Sequence, residues 1–266
     1  MNLPDTFAKR LADAGRPQIG MWVCSGSPLV AEIAAGSGLD WLLIDAEHSP
    51  NGLESILAQL QAVAASPATP LVRPPFGDAV TIKQYLDLGA QNLLIPMVDS
   101  AEQAAELVRA MRYPPEGVRG VGSALARASR WNRVDDYLGR AAQTLSLTVQ
   151  IESAAAVAAV DEILAVDGVD AIFVGPSDLA ASMGLLGQQE HPDVVAAAER
   201  CIRAAVAAGK PAGVNAFAPA AAERYLAAGA SFVLVGADVA LLARASEALA
   251  ERWIGDADGS AERASY

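Results

Sequence analysis

A single (β/α)8 TIM barrel is the fold class this sequence predicts, and three observations predict it. Short β-rich runs alternate with Ala-rich helical stretches from end to end, the order that builds a parallel sheet wrapped by helices. Eight such runs can be counted, as many as the barrel needs. No Gly-x-Gly-x-x-Gly turn follows the first run, where the competing doubly wound sheet would need one to bind a dinucleotide.

The strands fall at 18–23, 41–45, 70–73, 92–96, 147–151, 170–174, 211–214 and 232–236. Each is a short apolar run of the kind that a sheet buried on both faces requires. Glycines stand where the intervening helices end: Gly36 and Gly38, Gly89, Gly168, Gly209 and Gly229, positions at which a left-handed C-cap is expected. Residues 112–146 are the one irregular stretch, with Tyr113-Pro114-Pro115 followed by Arg127, Arg130, Trp131 and Arg133. A connection this long in a compact barrel is expected to cover a site or to meet a neighbour. The barrel domain is read as 1–254, and the polar, small-residue-rich stretch 255–266 as a flexible tail.

With 266 residues and 53% hydrophobic content the chain can bury one large core. Nineteen Lys and Arg against 31 Asp and Glu give a formal charge of −12 and a pI near 4.6, without the basic footprint of a nucleic-acid binder. No apolar run reaches the roughly 18 residues of a membrane span, and residues 1–18 carry charge throughout. Cys24 and Cys201 stand far apart with no metal-ligand spacing. These features predict a soluble, cytoplasmic protein without a disulfide framework.

Barrel enzymes place their chemistry at the C-terminal strand ends, so the polar residues there are the candidates. Strand two, Trp41-Leu42-Leu43-Ile44-Asp45, opens into Ala46-Glu47-His48; strand three ends in Arg73; strand five carries Gln150 and Glu152. Strand six leads into Gly175-Pro176-Ser177-Asp178, strand seven into Asn215, and strand eight into Gly236 and Asp238. The only other histidine, His191, precedes Pro192 in a polar loop, which leaves His48 as the natural acid-base group near neutral pH. Glu152 and Asp178, on adjacent strands, suit a hard divalent cation, although Asp178 equally reads as a cap for a helix starting at Leu179. The backbone N–H groups of Gly175 and Ser177, near a helix start, offer a place for a substrate carboxylate. Lys9, Lys83 and Lys210 are the only lysines and none sits at a C-terminal strand end, so Schiff-base activation of a ketone is disfavoured and a metal becomes its substitute.

Asp45-Ala46-Glu47-His48, Val72-Arg73-Pro74, Lys83-Gln84-Tyr85-Leu86-Asp87-Leu88-Gly89, Leu94-Ile95-Pro96-Met97, Arg112-Tyr113-Pro114-Pro115, Arg119-Gly120-Val121-Gly122-Ser123-Ala124, Gln150-Ile151-Glu152 and Gly175-Pro176-Ser177-Asp178-Leu179 together resemble the HpcH/HpaI aldolases, metal-dependent class II pyruvate aldolases. The resemblance runs in unbroken order over roughly residues 4–253. It implies Glu152 and Asp178 as ligands of a divalent cation (Mg²⁺, Mn²⁺ or Co²⁺), Arg73 at the ketone or enolate oxygen, and His48, oriented by Asp45, as the acid-base group. It also implies Gln150 on the metal side, with the N–H groups of Ser177 and Asp178 receiving the substrate carboxylate. Trp22 and Asn215 complete the substrate-binding set, and Asp87 joins the catalytic set by reaching across a subunit interface. A homo-oligomer, commonly a hexamer, is implied as well, with the apolar last helix, 239–253, packed on a neighbouring subunit.

Two departures stand out: Ala46 replaces a frequent glycine, and Val214-Asn215-Ala216-Phe217 is more polar than the aliphatic loop of the heptanedioate enzymes, which bears on the aldehyde. The expected reaction is reversible aldol addition of a 2-oxo acid, pyruvate or hydroxypyruvate, to an aldehyde. The alternatives are a CoA-thioester lyase of the citrate lyase β or malyl-CoA lyase type, which would not be expected to carry Asp45-Ala46-Glu47-His48, and a non-catalytic metabolite-binding barrel.

Overall fold

The computed structural model of the protein describes residues 1–254; the tail proposed for 255–266 lies outside them. Eight parallel strands close in chain order: β1 Gln18–Val23, β2 Trp41–Asp45, β3 Thr69–Arg73, β4 Asn92–Ile95, β5 Ser146–Ile151, β6 Ala171–Val174, β7 Ala212–Asn215 and β8 Phe232–Ala237. β1 and β2 have the expected limits, and the other six shift by only one residue at one or both ends. The shifts occur where polar or small residues such as Thr69, Ser146, Asn215 and Ala237 complete the ladder.

Alternate residues of each strand face the barrel interior. Trp22, Trp41, Leu43, Leu71, Leu94, Ala171, Phe173, Phe232 and Leu234 form that inner core. Large rings fill it because glycines make room: a Cβ on Gly20 would meet the Trp41 indole at 2.4 Å, and one on Gly213 the Phe232 ring at 2.1 Å. The same alternation sets the rim. Counting in twos from inward Leu43 and Leu71 reaches Asp45 and Arg73, and on β5, where Leu147, Val149 and Ile151 pack in the outer core, Gln150 falls on the inward side, so the packing that fixes the core also aims these groups into the mouth.

The charged N-terminal segment plugs the other end. Thr6 caps the helix Phe7–Asp13, whose Phe7 packs 5.4 Å from the Trp41 ring and 5.2 Å from Phe232 while its N–H donates to Asn92 Oδ1 at 2.7 Å. Gly38, Gly89, Gly168, Gly209 and Gly229 take positive φ as expected; Gly36 does not, because its helix caps through a right-handed residue at φ −84° and leaves the left-handed turn to Gly38.

The irregular stretch is ordered, in two 3-10 turns, the short helix Tyr137–Arg140 and a further 3-10 turn. Tyr113, Ala126, Ala128, Val134, Tyr137 and Ala141 form its own small core. Buried Arg119 stacks 4.6 Å from the Tyr113 ring and donates to Asp87 Oδ1 at 2.7 Å. This stretch enters β5 from its N-terminal end and Arg127 donates to Leu88 O just before β4, so it sits at the end of the barrel opposite the rim and does not cover this chain's site. The last helix, Asp238–Ile254, buries only Asp238; Leu241, Leu242, Leu249, Trp253 and Ile254 stay exposed. Among the described residues no helix is long and apolar enough to cross a membrane.

Candidate active site

Trp22, His48, Arg73, Gln150, Phe173, Gly175, Ser177, Asp178 and Asn215 line one cavity of about 680 Å³ at the C-terminal strand ends. Its charged floor is built by strand register. Asp45 and Arg73 are paired partners across β2 and β3, which brings Arg73 Nε to within 2.8 Å of Asp45 Oδ1 although both side chains are almost fully buried. The Arg73 guanidinium also lies 4.2 Å over the Trp22 ring, and its Nη1 stands 2.9 Å from Glu47 Oε2, out of line for a hydrogen bond. Burial pushes the Glu47 carboxyl up against the pull of Arg73.

Glu152 is almost fully enclosed, 3% exposed, and burial raises it to about 7, assisted by the like charges of Asp178 and Glu47. The Met97 N–H donates to Glu152 Oε1 at 2.6 Å, with Met97 held at a φ of 56°, and Gln150 Nε2 donates to Oε2. Gln150 Oε1 has no partner. Beside them Gly175 leaves a gap: a Cβ there would lie 2.9 Å from Gln150 Nε2 and 3.2 Å from Glu152 Oε2. A buried carboxylate raised by its own neighbours, an orphaned amide oxygen and an exposed Asp178 carboxylate form an oxygen-rich set with an unbalanced negative charge, and that donor chemistry fits a hard divalent cation. Among the described residues no group of three or more His, Cys, Asp and Glu could hold a metal, so such a cation would depend on substrate and water for its remaining ligands.

The capping role considered for Asp178 is not found. The helix begins at Pro176 and places Asp178 within its first turn. Gly175 supplies no capping side chain, which leaves the N–H groups of Ser177 and Asp178 without a protein acceptor beside the cavity.

One other expectation needs correcting. Asp45 does not orient the His48 ring: it accepts from the backbone N–H groups of Glu47 at 3.0 Å and His48 at 3.2 Å, shaping the loop. The His48 side chain is 68% exposed, with Nε2 3.9 Å from Glu47 Oε2. Asp87, expected to act across a subunit interface, lies away from this chain's own rim, where it closes the helix Ala79–Asp87 and pairs with Arg119. Sequence reading gave no individual role to Glu47 or Met97, although both lie within motifs it singled out. His191 caps the helix Pro192–Ala207 through Nδ1, and Lys210 Nζ donates to the carbonyls of Val166 and Val169, so neither serves the rim.

The sequence profile of the HpcH/HpaI aldolase/citrate lyase family matches residues 18–245. The chain belongs to that family. A hydroxypyruvate/pyruvate aldolase from Deinococcus radiodurans is 59% identical over 248 residues, which cover 93% of this chain and 89% of the relative. A 4-hydroxy-2-oxo-heptane-1,7-dioate aldolase from Shigella sonnei is 54% identical over 245 residues, 92% of this chain and 94% of the relative. Among solved structures, an HpcH/HpaI aldolase/citrate lyase family protein from Burkholderia cenocepacia superposes with a TM-score of 0.88 at 41% identity, covering 92% of this chain and 97% of that one. HpcH/HpaI barrels are thus similar to this chain in sequence and in fold, and the rim lies within the matched region.

Proposed function

We propose that this chain is a divalent-metal-dependent 2-oxo acid aldolase, joining pyruvate or hydroxypyruvate reversibly to an aldehyde. The observation that carries the reading is one cavity that sets exposed Asp178 against a fixed guanidinium, Arg73, with an accessible imidazole, His48, on its wall, and buried Glu152 directly behind the lining residues Gln150 and Gly175. The names of the similar aldolases support the same reaction class. When bound at Glu152 and Asp178, Mg²⁺, Mn²⁺ or Co²⁺ would supply Lewis-acid polarisation of the substrate ketone.

The chain's own groups supply the rest. The N–H groups of Ser177 and Asp178 receive the substrate carboxylate and Gln150 borders it. Arg73 spends Nε on Asp45 and has no protein hydrogen bond at Nη2, so it can donate to the oxygen on which enolate charge develops. His48, free of a ring partner within hydrogen-bond distance, takes the proton of the 4-hydroxyl as the C3–C4 bond breaks and returns it in synthesis. Cleavage of a 4-hydroxy-2-oxo acid, followed as pyruvate release, is expected to vanish on exhaustive chelation and to return with Mn²⁺ or Mg²⁺. Full activity in metal-free enzyme would overturn the reading.

The protein is further proposed to act as a homo-oligomer, a hexamer in the resemblance, with the last helix seated on a neighbouring subunit and Asp87 directed towards a neighbour's site. The exposed Leu241, Leu242, Leu249 and Trp253 of that helix and Val121, Leu125 and Trp131 of the irregular stretch support it, since this much apolar surface is characteristic of association. Light scattering at micromolar concentration is expected to give a multiple of the 27.4 kDa chain mass, and a stable, active monomer would contradict it.

A further inference from the structure

Asn215 stands at the end of β7, half-buried, on the wall shared by the 680 Å³ cavity and a second one of about 440 Å³ that continues past Gln189, Phe217 and Tyr225. Its Oδ1 accepts from Trp22 Nε1 at 3.0 Å. Because an indole N–H can only donate, this bond fixes which way the amide faces: the oxygen is turned to Trp22 and the NH₂ is left without a protein acceptor. The Trp22 ring so held is the surface on which Arg73 stacks at 4.2 Å. The chain Asn215–Trp22–Arg73 therefore links one wall of the mouth to the guanidinium at the reacting centre.

The second cavity has a distinctive lining. It carries no Arg, Lys or His; its polar groups are Ser177, Gln189, Glu190, Asn215 and the Tyr225 hydroxyl, which is buried and has no hydrogen-bond partner. Glu190 is engaged by Arg224 Nη1 at 2.9 Å. A carboxylate entering this space would find no cation among the lining residues, the nearby Arg224 being taken by Glu190, and a plain alkyl group would leave the Asn215 donor and the Tyr225 hydroxyl unpaired, which is unfavourable once they are dry. A short chain bearing a neutral hydroxyl satisfies them.

Resting on the aldolase reading above, we propose that Asn215 positions Arg73 through Trp22 and selects, through its free NH₂, neutral hydroxylated aldehydes as acceptors. Its two atoms act separately: the oxygen on the indole, the nitrogen on the acceptor. The same site should disfavour acceptors ending in a carboxylate.

The experiment measures kcat/KM for addition of pyruvate, with saturating Mn²⁺, to glycolaldehyde, to propanal (the same size with methyl for hydroxyl) and to succinic semialdehyde. Oxaloacetate decarboxylation, which needs no acceptor, is followed in parallel. Wild-type enzyme is expected to favour glycolaldehyde over each of the others by about tenfold or more. Asn215→Leu should bring the glycolaldehyde-to-propanal ratio to about one and slow decarboxylation several-fold, as Trp22 and Arg73 lose their support. Asn215→Asp, which can still accept from the indole but has no N–H to donate to the acceptor, should recover most of the decarboxylation. A wild-type preference for succinic semialdehyde or propanal, a ratio unmoved in Asn215→Leu, or equal decarboxylation losses in the Leu and Asp variants would overturn the proposal. Wild-type enzyme inactive with every aldehyde and with oxaloacetate would instead overturn the aldolase reading beneath it, so the two failures are distinguishable.

Discussion

Arg73→Ala is expected to lower aldol cleavage and oxaloacetate decarboxylation together, each by about 10² to 10³ in kcat. Both reactions pass negative charge to the same enolate oxygen, and both need the one fixed positive charge that the chain places in the cavity. Because Asp45 is 1% exposed and relies on Arg73 Nε at 2.8 Å, the substitution also leaves a buried carboxylate without its counter-charge, a loss of roughly 3–5 kcal/mol in stability. Thermal unfolding must therefore accompany the kinetics. Arg73→Lys separates the two effects: a point charge can still balance Asp45 and restore much of the stability, but it cannot bond Asp45, stack on Trp22 and present a further N–H at once. Recovery of Tm with little recovery of kcat is the expected outcome, and full recovery of kcat would count against a specific role for the guanidinium.

His48→Ala is expected to divide the same two reactions. Aldol cleavage requires a base for the 4-hydroxyl proton and should fall by about 10² to 10⁴. Oxaloacetate has no such proton and its decarboxylation should largely survive. The imidazole is 68% exposed, so truncation creates no cavity and Tm should stay within about a degree or two. Equal suppression of both reactions at unchanged metal affinity would move His48 to the enolate and refute its assignment to the hydroxyl proton.

Much of this was legible in the sequence because a parallel barrel writes itself plainly. Strands such as β2 and β8 are built on the uninterrupted apolar runs 41–44 and 232–235, and inward alternation carries Arg73, Gln150 and Asn215 to the rim in a predictable way. What was not legible depends on pairing across the sheet. That Asp45 meets Arg73 follows from the β2–β3 register, and that Trp22 meets Asn215 follows from closure of strands 193 residues apart. The exposure of the His48 ring and the turn of Asp45 towards backbone N–H groups come from a loop whose path no residue pattern specifies. The small core around Tyr113 and Tyr137 was hidden for a similar reason: its apolar residues are scattered over an irregular stretch with no helical or strand period.

Exchange of the pyruvate methyl protons in D₂O, followed by proton NMR, tests the central claim most directly because it reports enolate formation without any aldehyde. The account predicts rapid exchange in enzyme supplied with Mn²⁺-free Mg²⁺, none above background after chelation, and none in Arg73→Ala with metal restored. Exchange that persists undiminished in chelated enzyme, or that is absent from metal-supplied wild-type enzyme able to bind pyruvate, would contradict it.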